Sequence, residues 1–353
     1  MIKVLGLGDN VVDKYMHIKT MYPGGNALNI AVLARLSGIE VGYLGVFGDD
    51  EAAKHVYKTV SDMGIDVSHC RFYHGENGYA EVRLDDGDRV FIGSNQGGVS
   101  KEHPIDSFTD IELDYIAEYD VCHTSIFSYV EESLPEIRKA SGFVSFDFSN
   151  RYDEEYLKKV CPYIDMAAIS CGDMPKEEII EEMKRIEEYG CKHVVMATRG
   201  SKGAFLRIDG KLYEQSPYLV DAVDTMAAGD SFITSFLINY ISGMKDCVDF
   251  PEKAGHRGIT TKEEYQDTLI KTCLYRAAVF VRETVLSDTE KNLIKQRNLT
   301  QKIIIWSISE NIKSTAFDIN VKFNQGGYTM KKRLFSVLLA TAMVASMATG
   351  ATC

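Results

Sequence analysis

The stretch DTMAAGDSF, residues 224–232, decides the fold, because it joins a strand-like run to an apolar helix. The run Tyr218–Val223 predicts a strand, and the run Phe232–Ile241 predicts a helix. Small residues between them permit a tight turn, and the first N–H groups of a helix lack intrahelical acceptors. Such a helix start binds anions. The pattern predicts an anion hole for a phosphoryl group in transfer, formed by three backbone amides: Ala228, Gly229 and Asp230.

Asp230 also places a carboxylate at this helix start. In that position it can orient a hydroxyl group and accept its proton late in a phosphoryl transfer. Glycine and aspartate at a helix start also serve as simple caps, and that alternative needs no ligand. Taken from its spacing alone, the motif leaves both interpretations open.

Buried strand patterns alternate with amphipathic helix patterns through residue 280. The clearest helix is Lys176–Glu188, whose apolar side chains share one face at helical spacing. Repeated strand–helix–strand units predict a parallel sheet with helices on both faces and a ligand site beyond the carboxyl ends of the strands. The predicted strands are Ile2–Leu7, Val41–Phe47, Tyr119–His123, Phe143–Phe148, Met166–Ile169 and His193–Thr198.

Two other glycine-containing stretches would lie at the same edge of the sheet. Gly24–Asn29 opens a predicted helix that runs to Leu36, and Thr198–Gly203 follows a predicted strand. Their glycines would let the backbone approach a ligand closely. An ordinary loop with a helix cap, or a turn rich in glycine and serine, is the alternative in each case.

A hairpin pattern interrupts the alternation of strands and helices. Tyr79–Leu84 and Arg89–Ile92 flank the turn Asp86–Gly87, and Val11–Lys19 predicts a third strand beside them. A small sheet projecting from an α/β body is placed to act as a lid over the ligand site. A surface hairpin without that role is the alternative.

The composition indicates an ordinary globular protein, because 45% of the 353 residues are hydrophobic and 25% are charged. The formal net charge of −12 would repel phosphate groups, which argues against nucleic acid and anionic lipid as partners. The eight cysteines include no C-x-x-C pair and lack histidines at metal-ligand spacing. The first residues, MIKVLGLGDN, lack the basic and apolar regions of a secretion signal. We therefore expect reduced thiols and a cytoplasmic location.

Residues 282–353 differ from the rest of the chain. Residues 282–329 show little sustained periodicity, so we expect an unstructured segment, or translated spacer that follows a frameshift or a lost stop codon. Residues 330–353 begin with Met-Lys-Lys-Arg and an apolar run, which is the layout of a bacterial signal peptide from an adjacent reading frame. A genuine extension and a tail anchor are the alternatives, although the apolar run is shorter than the ~20 residues that span a bilayer as a helix.

In this order and spacing, the three glycine-containing stretches resemble the signatures of the ribokinase/PfkB family of carbohydrate kinases. The helix after Gly24–Gly25 is similar to the first signature, and residues 224–230 match the second, D-T-x-[GA]-A-G-D. The resemblance covers residues 1–281 and implies a ribokinase-like α/β three-layer sandwich with a central, mainly parallel sheet and a small β lid. The lid would comprise residues 78–98 and part of 9–20, and would also serve as a homodimer interface.

The resemblance implies ATP-dependent phosphorylation of a sugar hydroxyl with Mg²⁺, with Asp230 as the catalytic base. It implies substrate contacts from six residues: Asp9, Asp13, Gly24, Gly25, Asn29 and Arg89. It implies a nucleotide side lined by five residues: Thr198, Gly200, Gly203, Ala227 and Gly229. Asp224 would hold a monovalent cation such as K⁺. Asp173 stands near the place of an N-x-x-E element that organises Mg²⁺ in the family, where this chain has Ser-Cys-Gly-Asp, residues 170–173.

Six stretches, several of which lie outside the general signatures, resemble the members of the family that phosphorylate fructoselysine, an Amadori product. They imply phosphorylation of its 6-hydroxyl, with fructose, ribose or another Amadori compound as alternative substrates. The match fades after residue 280, so a catalytically impaired relic that binds sugar and nucleotide is the alternative of another class. The stretches are GDN at 8–10 with Asp13, GGNA at 24–27, GDD at 48–50, DRVF at 88–91, FDFS at 146–149 and DTM at 224–226.

Overall fold

The computed structural model describes residues 2–16, 19–85, 88–220, 225, 227–247 and 261–286, without the side chains of residues 84, 85, 88 and 89. The chain divides into two units, Met1–Arg297 and Asn298–Cys353, and every described residue belongs to the first. The strands of the described residues form a nine-stranded sheet and a four-stranded sheet.

The secondary structure follows in chain order. The strands are β1 (Lys3–Gly8), β2 (Val11–Tyr15), β3 (Thr20–Gly24), β4 (Glu40–Phe47), β5 (Arg71–Phe72), β6 (Gly78–Asp85), β7 (Asp88–Ser94), β8 (Val121–Ser125), β9 (Val144–Asp147), β10 (Met166–Ser170), β11 (Val194–Thr198), β12 (Ala204–Ile208) and β13 (Lys211–Gln215). The α-helices are α1 (Asn26–Leu36), α2 (Glu51–Asp62), α3 (Val99–Glu102), α4 (Asp110–Ala117), α5 (Leu134–Ala140), α6 (Glu154–Val160), α7 (Lys176–Glu188), α8 (Ala228–Cys247) and α9 (Lys262–Val285). Short 3₁₀ helices are Glu131–Ser133, Cys161–Tyr163 and Gly200–Lys202.

The larger sheet has the strand order β13-β12-β11-β10-β9-β8-β1-β4-β5. Neighbouring strands from β11 to β5 run parallel, whereas β12 is antiparallel to both β11 and β13. The carboxyl ends of the parallel strands therefore lie at one edge, which is where ligands bind in open α/β sheets. This arrangement confirms the predicted mainly parallel sheet.

Helices cover both faces of the larger sheet, as predicted. One hydrophobic cluster joins α1, α2, α8 and α9 to one side of the sheet and includes Val4 of β1. A second cluster joins α4, α5, α6 and α7 to the other side and includes Leu5 and Leu7. Consecutive side chains of a strand point to opposite faces, so a strand buried on both faces is apolar throughout. The result is a three-layer sandwich.

The first helix packs unusually close to the first strand. A Cβ atom added at Gly6 would lie 2.5 Å from the carbonyl oxygen of Ala27, so only glycine permits this approach. The close contact brings the N-terminus of α1 to the carboxyl end of β1.

The four-stranded sheet has the order β3-β2-β6-β7 and corresponds to the predicted lid. β6 and β7 form the predicted antiparallel hairpin, and β2 runs parallel to β6 and antiparallel to β3. The strand predicted over Val11–Lys19 is shorter than predicted and ends at Tyr15, and a further strand, Thr20–Gly24, pairs antiparallel with it, so the chain direction is reversed in β3. Lys19 has a left-handed φ of 52° at this reversal.

Buried side-chain amides connect the four-stranded sheet to the larger sheet. The Nδ2 of Asn77 donates to Oδ1 of Asn10 at 2.9 Å, and Oδ1 of Asn77 accepts from the backbone N of Gly48 at 3.2 Å. The Nδ2 of Asn95 donates to the carbonyl of Asn77 at 2.9 Å. These bonds satisfy buried polar groups on both sides of the junction.

The other predicted elements agree with the structure to different degrees. The six predicted strands of the larger sheet and the helix Lys176–Glu188 are confirmed, with strand ends that differ by at most two residues. The strand predicted at Tyr218–Val223 is wrong for residues 218–220, which form no strand, and residues 221–223 lie outside the described residues. Pro217 lacks the N–H that would continue the ladder beyond β13.

The last described helix, α9, ends at Val285, four residues beyond the predicted boundary at 281. The remainder of the predicted segments 282–329 and 330–353 lies outside the described residues, apart from residue 286. Within the described ranges, no helix combines the length and apolar character needed to cross a membrane.

Candidate active site

Asp230 lies in the first turn of α8 and contacts the first turn of α1. Its Oδ2 accepts a hydrogen bond from Nδ2 of Asn29 at 2.7 Å, and its Oδ1 accepts one from Nδ2 of Asn26 at 2.8 Å. Each oxygen retains a lone pair for a further donor. The carboxylate is therefore held in one orientation and remains able to accept a hydroxyl proton.

Asp147 places a second carboxylate beside Asp230, at the carboxyl end of β9. Its Oδ2 accepts from the same Nδ2 of Asn26 at 2.7 Å, and its Oδ1 accepts from the backbone N of Ser149 at 2.8 Å. Because an amide nitrogen carries two hydrogens, Asn26 can donate to both carboxylates at once. The Asn26 amide therefore bridges Asp147 and Asp230.

His123 lies on β8 behind Asn26 and is completely buried. Its Nε2 is 2.9 Å from Oδ1 of Asn26, and its Nδ1 is 3.0 Å from Oγ of Ser145. The Oδ1 of Asn26 only accepts, so the network assigns the proton of His123 to Nε2, and Nδ1 accepts from the Ser145 hydroxyl. Burial lowers the pKa of His123 to about 3, so the ring is neutral near pH 7.

Asp9 follows β1 and holds the N-terminus of α1. Its Oδ2 accepts from the backbone N of Asn26 at 2.6 Å, and its Oδ1 accepts from the backbone N of Ala27 at 3.1 Å. The hydroxyls of Ser125 and Ser128 each donate to the same Oδ1 at 2.9 Å. Asp9 thus lies at the site, with both oxygens engaged by the protein, and its contact with substrate stays a prediction.

The glycines before α1 are required by close backbone contacts. Gly25 has a φ of 112°, and a Cβ atom there would lie 2.8 Å from both the Cα of Asn10 and the carbonyl oxygen of Asp9. A Cβ atom at Gly24 would lie 2.3 Å from Oδ2 of Asp13, a buried carboxylate on β2 of the lid. The backbone N of Asn29 donates to the carbonyl of Gly25 at 2.8 Å, so Asp13, Gly24, Gly25 and Asn29 follow one another in a chain of direct contacts.

The start of α8 presents two backbone amides without an acceptor among the described residues, those of Gly229 and Asp230. The N–H of Ala228 donates to the carbonyl of Thr225 at 3.3 Å, so this amide is engaged in the present conformation. A Cβ atom at Gly229 would meet no atom within 4 Å, which indicates open space beside this residue. Ala227 has a left-handed φ of 53°, a conformation that glycine adopts at lower energy. Participation of these residues in an anion hole and a nucleotide side stays a prediction.

The remaining residues predicted for the nucleotide side lie at the carboxyl end of β11. Thr198 ends this strand, and its hydroxyl is 3.4 Å from the carbonyl of Ile169. A Cβ atom at Gly203 would lie 2.1 Å from the carbonyl oxygen of Gln215, so this glycine has a structural reason to be present. Gly200 is exposed, and a Cβ atom there would meet nothing within 4 Å. Contact of these residues with a nucleotide stays a prediction.

Of the two residues predicted for metal ions, the structure describes Asp173. Asp173 is almost fully exposed and forms an ion pair with Nζ of Lys202 at 2.6 Å, whose hydrogen bond lowers the pKa of the carboxyl. Asp224 and the side chain of Arg89 lie outside the described residues. Within the described ranges, no group of three or more histidine, cysteine, aspartate and glutamate side chains could hold a metal ion.

Both bridged carboxyl groups have raised pKa values. Burial, together with the neighbouring charges of Asp147 and Asp9, raises the pKa of Asp230 to about 7 against the opposing hydrogen bonds from Asn29 and Asn26. Burial and the charge of Asp9 raise the pKa of Asp147 to about 6 against hydrogen bonds from Ser149 and Asn26. A carboxyl whose pKa lies close to the working pH is suited to general base catalysis.

Three residues of this network have contacts that the sequence patterns do not predict. Asn26 and Asp147 lie within stretches that carry the family resemblance, but neither was assigned a contact. His123 was recognised only as the end of a predicted strand. Its signal is a polar residue inside a strand that is otherwise buried, which indicates a partner without identifying it.

Comparison with known proteins is consistent with this geometry. A family model described as pfkB family carbohydrate kinase matches residues 3–265. Fructosamine kinase FrlD of Bacillus subtilis (strain 168) is 43% identical over 239 residues, which cover 67% of this chain and 82% of that protein. Fructoselysine 6-kinase of Escherichia coli (strain K12) is 33% identical over 240 residues, which cover 67% of this chain and 89% of that protein. The chain belongs to the pfkB family of carbohydrate kinases and is an ATP-dependent phosphotransferase that acts on a sugar hydroxyl.

Solved structures support the fold. Ribokinase from Giardia lamblia matches with a TM-score of 0.66 at 14% identity and covers 86% of this chain and 99% of that chain. Aminoimidazole riboside kinase from Salmonella enterica, complexed with aminoimidazole riboside and an ATP analogue, matches with a TM-score of 0.58 at 18% identity. It covers 81% of this chain and 94% of that chain. The ribokinase-like fold is therefore confirmed.

The raised pKa of Asp230 predicts a specific pH dependence of stability. A carboxyl whose pKa is higher in the folded than in the unfolded protein stabilises the fold while protonated, and this contribution is lost as the pH rises through the folded-state pKa. Between about pH 5 and about pH 8, the free energy of unfolding of the wild type should fall by roughly 1–3 kcal/mol more than that of Asp230→Asn, measured by urea denaturation. Asp106→Asn, which changes an exposed carboxylate, is the control and should follow the wild type. Parallel curves for the wild type and Asp230→Asn would show that Asp230 has an ordinary pKa.

Proposed function

We propose that this chain transfers the γ-phosphoryl group of ATP to the 6-hydroxyl of fructoselysine. The observation that carries the proposal is the carboxylate of Asp230, held by two side-chain amides beside open space at a helix start. Support for the substrate comes from the relatives at 43% and 33% identity, whose names are fructosamine kinase and fructoselysine 6-kinase. We also propose a cytoplasmic location, which is supported by the free thiols of the seven described cysteines.

In the proposed reaction, Asp230 accepts the proton of the 6-hydroxyl as the hydroxyl oxygen attacks the γ-phosphorus. A bond forms between the sugar oxygen and the γ-phosphorus, and the bond from that phosphorus to the bridging β–γ oxygen breaks. The products are the sugar 6-phosphate and ADP. Asn26 and Asn29 keep the carboxylate in position, so the base is not reoriented during the transfer.

The first amides of α8 would stabilise the charge of the group in transfer. The N–H groups of Gly229 and Asp230 are the available donors, and the helix start contributes a positive potential. The Ala228 amide would join them after releasing the carbonyl of Thr225. This assignment gives Asp230 two functions, one through its backbone and one through its side chain.

Mg²⁺ would accompany ATP and neutralise negative charge on the phosphates. The described residues fit an ion held mainly by phosphates and water, because magnesium needs few or no protein carboxylates in such sites. Asp173 is the protein residue proposed for this network, and it would have to leave Lys202. A monovalent cation at Asp224 remains part of the proposal and concerns a residue outside the described ones.

The substrate assignment predicts a clear order of activities. In a coupled assay of ADP release, fructoselysine should give a higher kcat/KM than fructose, ribose or another Amadori compound, because the relatives at 43% and 33% identity are named fructosamine kinase and fructoselysine 6-kinase. Asp230→Asn is the control and should lower turnover by roughly 10³-fold or more with nucleotide binding retained. Equal rates on free fructose would favour a kinase for a plain sugar. Binding of sugar and ATP without turnover would favour a catalytically impaired relic.

The anion hole is tested by Gly229→Val. The new side chain should be tolerated by the fold, because a Cβ atom at this position meets nothing within 4 Å. It would stand beside the amides of Gly229 and Asp230 and hinder the approach of a phosphoryl group, so turnover should fall by about 100-fold or more with the melting temperature little changed. Gly142→Val, at an exposed position away from the site, is the control. Wild-type turnover in Gly229→Val would contradict the proposal that this helix start binds the phosphoryl group.

We also propose a homodimer that forms through the lid. Phe91 and Ile92 on β7 and Met16 after β2 expose 67%, 55% and 49% of their surface, and exposed apolar side chains of this size are suited to contact with a second copy. Sedimentation should give twice the mass of the chain, and Phe91→Glu with Ile92→Glu should give a monomer. Ile111→Glu, which changes an exposed apolar residue on α4, is the control and should remain dimeric. A monomeric wild type would contradict the proposal.

A further inference from the structure

The orientation of one side-chain amide controls the environment of Asp230. Asn26 supports the site only when its Nδ2 faces the carboxylates of Asp147 and Asp230. If the amide were rotated by half a turn, its Oδ1 would face both carboxylates, and oxygen acceptors would meet without a donor. The two ends of an amide have nearly the same shape, so packing alone does not choose between these orientations.

The group that determines the orientation of the amide lies on the other side of Asn26. The Nε2 of His123 is 2.9 Å from Oδ1 of Asn26 and can donate to it only in the present orientation of the amide. Ser145, the residue paired with His123 on the neighbouring strand, supplies a hydroxyl 3.0 Å from Nδ1. This hydroxyl satisfies Nδ1 as an acceptor and leaves the proton on Nε2. Each group therefore donates a hydrogen bond to the next one, from Ser145 to His123, from His123 to Asn26, and from Asn26 to the two carboxylates.

We propose that His123 is a positioning residue that acts through Asn26: by donating from Nε2, it keeps both hydrogens of the Asn26 amide on Asp147 and Asp230. It thereby sets how readily Asp230 accepts a proton. The inference rests on the proposed function only in taking Asp230 as the base that receives the sugar proton.

Charged and titratable groups reach Asp230 from several elements. Asp147 comes from the end of β9, Asp9 from the segment after β1, and His123 stands behind Asn26 on β8. The two carboxylates raise the pKa of Asp230, whereas the amides of Asn26 and Asn29 lower it. Losing the Asn26 hydrogen bond and losing the Asp147 charge should therefore move the titration of Asp230 in opposite directions.

The test is the acid limb of the pH profile of kcat/KM, measured with whichever sugar acceptor the wild type phosphorylates. His123→Leu removes the donor to Asn26, so the limb should move to higher pH by about half to one unit. His123→Gln retains an N–H donor and should bring the limb back toward the wild type. Asp147→Asn removes the like charge and should move the limb to lower pH. If His123→Leu lowers kcat/KM equally at every pH and the acid limb does not move, His123 contributes only packing, and the inference is overturned.

A double-mutant cycle tests whether His123 acts through Asn26. Asn26→Ala should itself move the limb to higher pH, because it removes the same hydrogen bond from Asp230. Adding His123→Leu to Asn26→Ala should then move the limb no further. Asn26 is only half-buried at the start of α1, so this variant remains informative if substitution of the buried histidine prevents folding. Equal and additive shifts in the two backgrounds would contradict action through Asn26.

A readout without turnover separates this inference from the proposed function. Carbon NMR of the aspartate carboxyls in the substrate-free protein reports the titration of Asp230, with Asp230→Asn used for assignment. In Asn26→Ala the titration should move to higher pH by about half to one unit, whether or not fructoselysine is the substrate. An unmoved titration would overturn the inference. Absence of turnover on every sugar, with the expected NMR shift, would instead count against the proposed function alone.

Discussion

The buried carboxylate of Asp9 fixes the N-terminus of α1, and the arrangement around Asp230 depends on it. The first N–H groups of a helix have no intrahelical acceptors, and Gly25 at the cap position has no side chain to serve them. Asp9 accepts from the backbone amides of Asn26 and Ala27 in its place. A negative charge at a helix N-terminus is also favourable for the helix dipole. Because these bonds restrain rotation of the first turn, the side chains of Asn26 and Asn29 remain directed at Asp230.

The segment after β8 supports this carboxylate from the other side. Ser125 and Ser128 both donate to Asp9, and Ser125 is the last residue of the strand that carries His123. This strand therefore acts on α1 in two ways. The hydroxyl of Ser125 holds Asp9, which accepts from the backbone of the first turn of α1, and the ring of His123 orients the side chain of Asn26. The same buried layer thus determines where Asn26 lies and which way its amide points.

Much of the fold and part of the site could be predicted from the sequence, because the deciding signals are local. The α/β alternation and the glycines before α1 and α8 mark two helix starts at one edge of a parallel sheet, which brings Asn29 and Asp230 together. The helix periodicity began at Phe232, whereas α8 begins at Ala228, because a polar first turn carries no apolar repeat. The contacts of Asn26 could not be predicted in this way. They join residues 97, 121 and 204 positions apart, and such pairs depend on strand register and on the close approach at Gly6.

The network also explains why amides, and not a cation, suit the place beside the base. A cation close to a carboxylate lowers its pKa strongly, and such a carboxylate would be a weak acceptor for a hydroxyl proton. The amides of Asn26 and Asn29 hold the same geometry with a smaller effect, while burial and the charge of Asp147 act in the opposite direction. The balance places the pKa of Asp230 at about 7, where a carboxyl is both ionised in part and basic enough to take a proton. A neutral buried histidine behind Asn26 preserves this balance, because it orients the amide without adding positive charge near Asp230.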